Sequence, residues 1–580
     1  MMREDNSVDE GEVVVVVPDR TVHIDELYPG VNHGGGAESL THKFEIIAAC
    51  VMGLSTLSGG VLEGYTSPAI PTLLQEPSYY NLTDVSVSSD ISTINTTVSP
   101  NFSNDTKFLT NNESHLLNQN DSVDGLSVLM SGETEMELLI DLYLTEEEAS
   151  WLGSLLLLGA CIGALVSSWV ISQGRRRAVL ASAFPRLVGW IMIGAASDVY
   201  MMYGGRFLTG VSLGIVTSAA PVYISEIAHS SVRGALSCVV QLGVNIGIFT
   251  VALLGTFMEW RGLAIFGAIT VVIYFVATLF IPNSPVWLIS CGREEDARKT
   301  LLELRGNQYC VEYDLQQIIS SKANQYNAFS WHDIITQRSC VFPLGVVALI
   351  TVVNRCSGYN AIITYCATFL NQAVPAVSEY WAAAGVTLMQ VFSTIGAAIF
   401  VDHLGRRKLL MASIAAMAVA LATIAVCEVA TQHGAGGSWV AILAAILYVS
   451  AYSFGVGPIT WVLVGELFPQ AAREKAAALI SVLNWFLAFI ITKTYFRLES
   501  LTGIAGTCGV YSSVCVIGLI LVYFLVPETK GRTLGEIEAY FTYTQRSWKV
   551  VKNKRDVTLS SILEQEGGPS DTYSTFQSIE

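Results

Sequence analysis

The chain has 580 residues, 52% of them apolar and only 14% charged, with a mean hydropathy of +0.48. That composition excludes an ordinary soluble protein of this size and points to a membrane class. The formal net charge of −17 resides mostly in the hydrophilic segments and argues against a nucleic-acid partner or a basic lipid-binding face.

Residues 1–42 are acidic and are expected to form a disordered cytoplasmic tail. The run VVVVV at 13–17 is shorter than a signal h-region and has no basic flank, so no cleaved signal is expected. A helix needs roughly 20 apolar residues to cross the hydrocarbon core. Twelve stretches qualify, near 43–71, 147–171, 178–197, 201–224, 234–256, 261–281, 341–371, 379–402, 408–431, 438–465, 474–496 and 504–526. Backbone groups in lipid must bond within their own segment, and glycine is abundant, so the fold class is an all-α bundle of twelve transmembrane helices. Six spans fall in 43–281 and six in 341–527, with a linker at 282–340 and a tail at 528–580.

The loop at 74–145 holds eleven acidic residues against one basic residue, Lys107. It also holds six N-x-S/T sequons, at Asn81, Asn95, Asn101, Asn104, Asn112 and Asn120, which places it outside as a glycosylated, disordered segment. Basic residues instead gather at GRRR (174–177), GRRK (405–408), Arg233, Arg473 and 549–555. Both termini are then cytoplasmic, in a multi-pass protein compatible with the cell membrane. The linker carries mixed charges with helical apolar spacing, as in EEDARKTLLELRG, and reads as short amphipathic helices on the cytoplasmic face. The eleven cysteines show no CxxC or Cys/His spacing, so neither a disulfide framework nor a metal site is indicated.

The two halves repeat. GRRRAVL (174) recurs as GRRKLLM (405), and PVYISEIAHSSVRGAL (221) as ITWVLVGELFPQAAREKAAAL (459). In both copies a glutamate precedes an arginine by seven residues, Glu226 with Arg233 and Glu466 with Arg473, and PNSP (282) and PETKG (527) close the halves. Two related halves around a mid-membrane site are what an alternating-access carrier needs. The bland reading of the basic joints is snorkelling anchors. The sharper one makes Arg175, Arg176, Arg206, Arg233, Arg406, Arg407 and Arg473, with Glu226, Glu466 and Asp402, a cytoplasmic salt-bridge network that pairs across the halves and opens with the cavity. Ile171 stands where Asp402 has its counterpart, which weakens the latch of the first half.

GRFLTGVSLGIVTSAAPVYISEIAHSSVRGAL, VDHLGRRKLL, GPITWVLVGELFP and VPETKGRTLGEIE resemble the signatures of the sugar porter family of the major facilitator superfamily, over about 43–540. GYTSPAIPTL and EWRGLAIFG are most similar to the insect facilitated trehalose transporters and facilitative glucose transporters within it. The resemblance implies a monomeric carrier without cofactor and a sugar site at Gln241, Asn360, Gln390, Trp461 and Asn484. Amides and an aromatic face suit a polyol, against the alternative of interhelical bonds and packing rings.

Span 7 departs from the family pattern QQxSGxNxxxYY. It reads NRCSGYNAIITY, so Asn354 and Arg355 replace the glutamines and Thr364 the first gating tyrosine, leaving Tyr365. An arginine near a helix centre costs about 2.5–3.5 kcal/mol on insertion scales and must face water or a partner. Span 1 carries another intramembrane charge, Glu63. Spans 1 and 7 are equivalent elements, so Glu63 and Arg355 are expected to face each other, directly or through substrate; the competing reading has Glu63 at an interface and Arg355 on backbone carbonyls. Arg186 in span 3 is a further unusual charge, about two turns from the cytoplasmic end and within snorkelling reach of it, and is assigned no role.

A facilitative carrier of glucose or trehalose follows. The alternatives are a small organic anion attracted by Arg355, a proton-coupled symporter, and a sensor with the same fold. Coupled family members carry an aspartate where this chain has Thr66, which favours uniport, although Glu63 lies one turn earlier. No HExxH or P-loop is present, so an enzyme or an ATP-driven pump is not expected.

Overall fold

The structure is a computed structural model that describes residues 14–17, 20–23, 43–74, 142–229, 232–306, 311–323, 331–373, 378–433, 438–468, 472–530, 532, 536, 537, 540 and 541. The six sequons and Lys549 to Arg555 lie outside the described residues.

Each of the twelve segments read from the sequence falls on a helix. Span 1 is Lys43–Gly64 continued by Thr66–Leu74, and spans 2 to 6 are Glu146–Ser172, Arg175–Gly194, Val199–Ile227, Arg233–Leu254 and Trp260–Thr278. Span 7 is three pieces, Arg338–Cys356, Tyr359–Thr364 and Cys366–Ala373, followed by Glu379–Leu404 and Arg406–Gln432 as spans 8 and 9. Span 10 runs from Ser438–Ala451 through a π-turn at Tyr452–Val456 into Gly457–Leu467, and Arg473–Leu525 breaks at Gly503 into spans 11 and 12. Among the described residues, nine helical stretches are long and apolar enough to cross a membrane, the last of them containing the Gly503 break, while Cys238–Leu254 is shorter.

Two large apolar cores sit side by side, one centred on spans 1 to 6 and the other on spans 7 to 12. Glycines let helices approach within each half. A Cβ on Gly163 would enter the Val211 carbonyl of span 4, and one on Gly210 the Leu156 carbonyl of span 2. Such contact substitutes for a hydrophobic drive that lipid does not supply. At the start of span 2, Thr145 and Glu148 form a capping box. The turns into spans 3 and 9 both use a glycine at positive φ, Gly174 at 125° and Gly405 at 87°, which aims the following arginine pair back at its own half.

The linker folds as Pro285–Ser290, Glu294–Arg305, Val311–Ala323 and Trp331–Thr336, the first three around a small core of Trp287, Leu288, Leu301 and Leu315. Its docking point is Arg305. That guanidinium pairs with Glu45 at the start of span 1, with Asp314 at 3.2 Å, and donates to the Ile227 carbonyl at the end of span 4. The tail expected to be disordered contains an antiparallel pair, Val14–Val17 with Arg20–His23. The β-branched run and the intervening Pro18-Asp19 dipeptide are strand and turn formers, which the reading of the acidic composition passed over.

Candidate functional site

Helix breaks in spans 7 and 10 set the site. In span 7, Gly358 adopts φ 86°, and the Tyr511 ring occupies the place a Cβ would take. The Ser357 carbonyl beside it accepts from the Tyr448 hydroxyl at 3.0 Å. In span 10 the π-turn is pinned by Ser413, whose Oγ donates to Ala451 O at 2.6 Å and accepts from Val456 N at 3.1 Å. Asn354 bridges the two spans. Its Nδ2 donates to Val456 O and to Thr460 Oγ1, and its Oδ1 accepts from the Tyr452 hydroxyl at 3.2 Å. The Asn354 amide is therefore occupied in holding spans 7 and 10 together.

Arg355 next to it turns inward and is only 8% exposed. Its Nε donates to Asn484 Oδ1 at 2.6 Å, its Nη1 to Asn360 Oδ1, and its guanidinium lies over the Trp485 ring at 5.8 Å. Two of the expected sugar amides are thus gathered around the cation. Asn484 Nδ2 is left buried without a partner among the described residues.

A second polar chain crosses between the halves. Gln241 of span 5 donates to Asn245 Oδ1 at 3.1 Å, and Gln390 of span 8 donates to the same oxygen at 2.9 Å and to the Tyr359 hydroxyl at 2.6 Å. Asn245 Nδ2 in turn donates to Thr394 Oγ1 at 2.5 Å. Tyr359 stacks on Tyr452 with centroids 3.3 Å apart, and Gln390 Oε1 is buried without a partner among the described residues. Asn245, Tyr359 and Tyr452 were missed in the sequence. Asn245 lies four residues after Gln241, on the same helix face, and that spacing was available as a signal.

Trp461 stands apart, 41% exposed on span 10, with no hydrogen bond or ring contact among the described residues. Tyr365 is fully buried at the opposite end of span 7 from the linker. Its hydroxyl lies 3.4 Å from Ser150 O of span 2 and 3.3 Å from Thr492 O of span 11, and its ring packs on Tyr495 and Phe496. Further bonds between the halves on that side run from Ser150 Oγ to Lys493 O at 2.7 Å and from Ala367 N to Ser67 Oγ at 3.1 Å. The halves are stitched at the end away from the linker.

Glu63 and Arg355 are near enough to interact electrostatically, and Glu63 also feels Arg206. No ion pair within 4.0 Å joins Glu63 to either arginine, so the direct contact allowed for in the sequence reading is not made. Arg206 is a correction. Span 4 starts at Val199 at the end away from the linker, so Arg206 sits seven residues inside that end, fully buried, and not at a basic joint. It donates to Leu62 O at 2.9 Å and Leu152 O at 3.2 Å and lies over the Tyr65 ring, which ties spans 2 and 4 to the break in span 1. Arg186 does not snorkel either. It is fully buried, donating to Ser212 Oγ at 2.9 Å and Ser55 O at 3.1 Å beside the Tyr274 ring.

At the linker end the two halves carry the same device. Arg175 meets Glu226 at 2.8 Å while Ser284 Oγ donates to the same carboxylate; Arg406 meets Glu466 at 3.1 Å while Thr529 Oγ1 donates at 2.6 Å. The second arginine of each pair caps the last helix of its half, Arg176 on Thr278 O and Leu279 O and Arg407 on Tyr523 O. These bonds join elements of one half. Arg473 reaches Phe468 O at 3.5 Å, and the side chains of Arg233 and Asp402 lie outside the described residues.

An apolar groove of about 310 Å³ between spans 3 and 6, lined by Leu187, Trp190, Ala264 and Ile269 among others, is walled almost entirely by apolar atoms and holds none of these amides.

Residues 59–541 match the family model described as sugar (and other) transporter. The chain is 34% identical over 422 residues to the facilitated trehalose transporter Tret1 of Polypedilum vanderplanki, covering 72% of this chain and 84% of that protein. It is 33% identical over 436 residues to the Tret1 of Bombyx mori, covering 73% and 86%. Among solved structures, the xylose transporter XylE from E. coli in a partially occluded inward open conformation superposes with a TM-score of 0.63 at 18% identity, covering 84% of this chain and 99% of that one. XylE bound to 6-bromo-6-deoxy-D-glucose, described as a major facilitator superfamily proton:xylose symporter, gives 0.63 at 19% identity over 86% and 99%. At that identity the likeness carries the fold, and the residue-level matches carry the family: this chain is a member of the sugar (and other) transporter family.

Proposed function

We propose that the protein is a facilitative uniporter of a neutral sugar, glucose or trehalose, that works as a monomer by rocking two six-helix halves about a mid-depth site. The observation that supports this most is the cross-half polar chain from Gln241 through Asn245 to Gln390, with Tyr359 and the Arg355 cluster beside it. Both halves contribute to one site, so a solute bound there is touched by both, and relative movement of the halves changes which side it faces. The unpartnered Gln390 Oε1 and Asn484 Nδ2 are an acceptor and a donor of the kind a polyol satisfies. Similarity to facilitated trehalose transporters favours the disaccharide.

The seal around Tyr365 marks the outer gate, and the paired arginines mark the cytoplasmic end. Both termini are then cytoplasmic and the 74–145 loop is outside, where its sequons carry glycan in a cell-membrane protein. Treatment with an N-glycosidase lowers the apparent mass of the expressed protein if this topology holds.

Counterflow of labelled trehalose and glucose in proteoliposomes tests the function. Exchange without net driving force is expected, unchanged by an imposed pH gradient. Absent counterflow favours a sensor, and stimulation by the gradient favours a symporter. Arg355 gives a second reading a specific footing, an organic-anion carrier, and anion counterflow in the absence of sugar counterflow would select it.

A further inference from the structure

The Arg355 cluster leaves one edge of the guanidinium unaccounted for. Nε and Nη1 are committed to Asn484 and Asn360, whereas Nη2 has no hydrogen bond among the described residues and is not one of the fully enclosed polar atoms. It therefore opens on accessible space. The Glu63 carboxylate is in the same position: half-buried, unbonded among the described residues, and with neither oxygen enclosed. Yet the two side chains are electrostatic neighbours, with Tyr359 and Tyr452 sharing the field of both. An anion and a cation within electrostatic range but with no ion-pair contact within 4.0 Å, each with an unbonded atom that is not enclosed, leave a gap between them. Side-chain bonds on either side hold the two apart. Arg355 is drawn towards span 11 by Asn484, and Glu63 sits just before the break at Tyr65, whose hydroxyl is tied to Trp260 O.

We infer that Glu63 and Arg355 form a charged pincer for neighbouring hydroxyls of the sugar, one hydroxyl donating to the Glu63 carboxylate and the next accepting from Arg355 Nη2. A hydroxyl is both donor and acceptor, so a diol satisfies both arms. Both bonds are charge-assisted and stronger than the amide bonds around them. The opposed charges cancel towards a neutral solute, while a monoanion drawn to Arg355 is repelled by Glu63. This rests on the proposed sugar transport and adds to it which residues select the substrate class.

The test uses full-length protein in proteoliposomes, with labelled trehalose or glucose, whichever is transported, and unlabelled monodeoxy analogues of glucose as competitors. In the wild type, removal of either of two adjacent hydroxyls is expected to weaken competition about tenfold. In Glu63→Gln the penalty for one of these positions falls to about twofold, and in Arg355→Gln the penalty for the other does. Monodispersity on size exclusion confirms that each variant is assembled; the analogue series on the wild type needs no variant at all. Sugar transport in the wild type with no single hydroxyl mattering more than twofold overturns the pincer and leaves the functional reading standing, as do variants with unchanged analogue profiles. A correctly assembled wild type that moves no sugar overturns both.

Discussion

Arg305 of the linker and Glu45 at the start of span 1 form an ion pair with both side chains buried, and the Glu45 carboxylate also accepts from the His229 amide at 3.2 Å. The pair joins three elements: the linker, span 1 and the turn after span 4. Removing one partner of a buried pair costs up to about 3–5 kcal/mol, with the smaller loss expected for Glu45→Gln because Arg305 keeps its pair with Asp314. Glu45→Gln and Arg305→Gln are each expected to lower the thermal midpoint in detergent and to speed tryptic cleavage within residues 283–338. A double variant less damaged than the sum of the singles would mark the pair as coupled; additive losses would mean that each side chain acts through other contacts.

The bonds at Glu226 and Glu466 join elements of one half each. Glu226→Gln and Glu466→Gln are each expected to cost about 1–3 kcal/mol, the range for a hydrogen bond to a charged group. Because the partners described are not shared, the two losses should add within about 0.5 kcal/mol. A thermal-stability cycle in detergent measures it. Coupling well above that value would support the pairing across halves that the sequence suggested.

Gly358 holds a left-handed backbone against the Tyr511 ring. Gly358→Ala is expected to destabilise by more than the roughly 1 kcal/mol that positive φ alone costs an L-residue, because the methyl group also displaces the ring. Adding Tyr511→Ala should recover part of the loss in thermal midpoint, and the unrecovered part is the backbone term. Full recovery would show that φ at this position relaxes freely.

The helices were legible because apolar length and glycine content report directly on the bilayer. The repeat was legible because GRR and the PNSP and PETKG joints are local motifs. The amide cluster was legible only in part: Gln241, Asn360, Gln390 and Asn484 could be picked out by resemblance, whereas Asn245, Tyr359 and Tyr452, and the bonding of all of them, could not. Nothing in NRCSGYN says that Asn354 is taken up by the π-turn of span 10 while Arg355 gathers Asn360 and Asn484, since a π-turn has no local sequence signature of that kind. Arg206 was misplaced for a directional reason: the rule that basic residues favour the inside applies to span ends, and span 4 begins at the end opposite GRRR, so Arg206 in its first turns is not at an inside end. Buried arginines bonded to backbone carbonyls at helix breaks need the third dimension to be seen at all.

Asn484 allows structural and binding roles to be separated. Its Oδ1 accepts from Arg355, and its Nδ2 is buried without a partner among the described residues. Asn484→Leu removes both atoms and strands the Arg355 Nε, so stability and transport should fall together, the former by about 1–3 kcal/mol. Asn484→Asp keeps an acceptor for Arg355 and makes it charged, roughly doubling the strength of that bond, but deletes the free donor. The expected result is a thermal midpoint equal to or above the wild type with sugar counterflow reduced about tenfold. Transport that tracks stability in both variants would make Asn484 a support for Arg355 alone, and its amide would then have no direct part in holding the sugar.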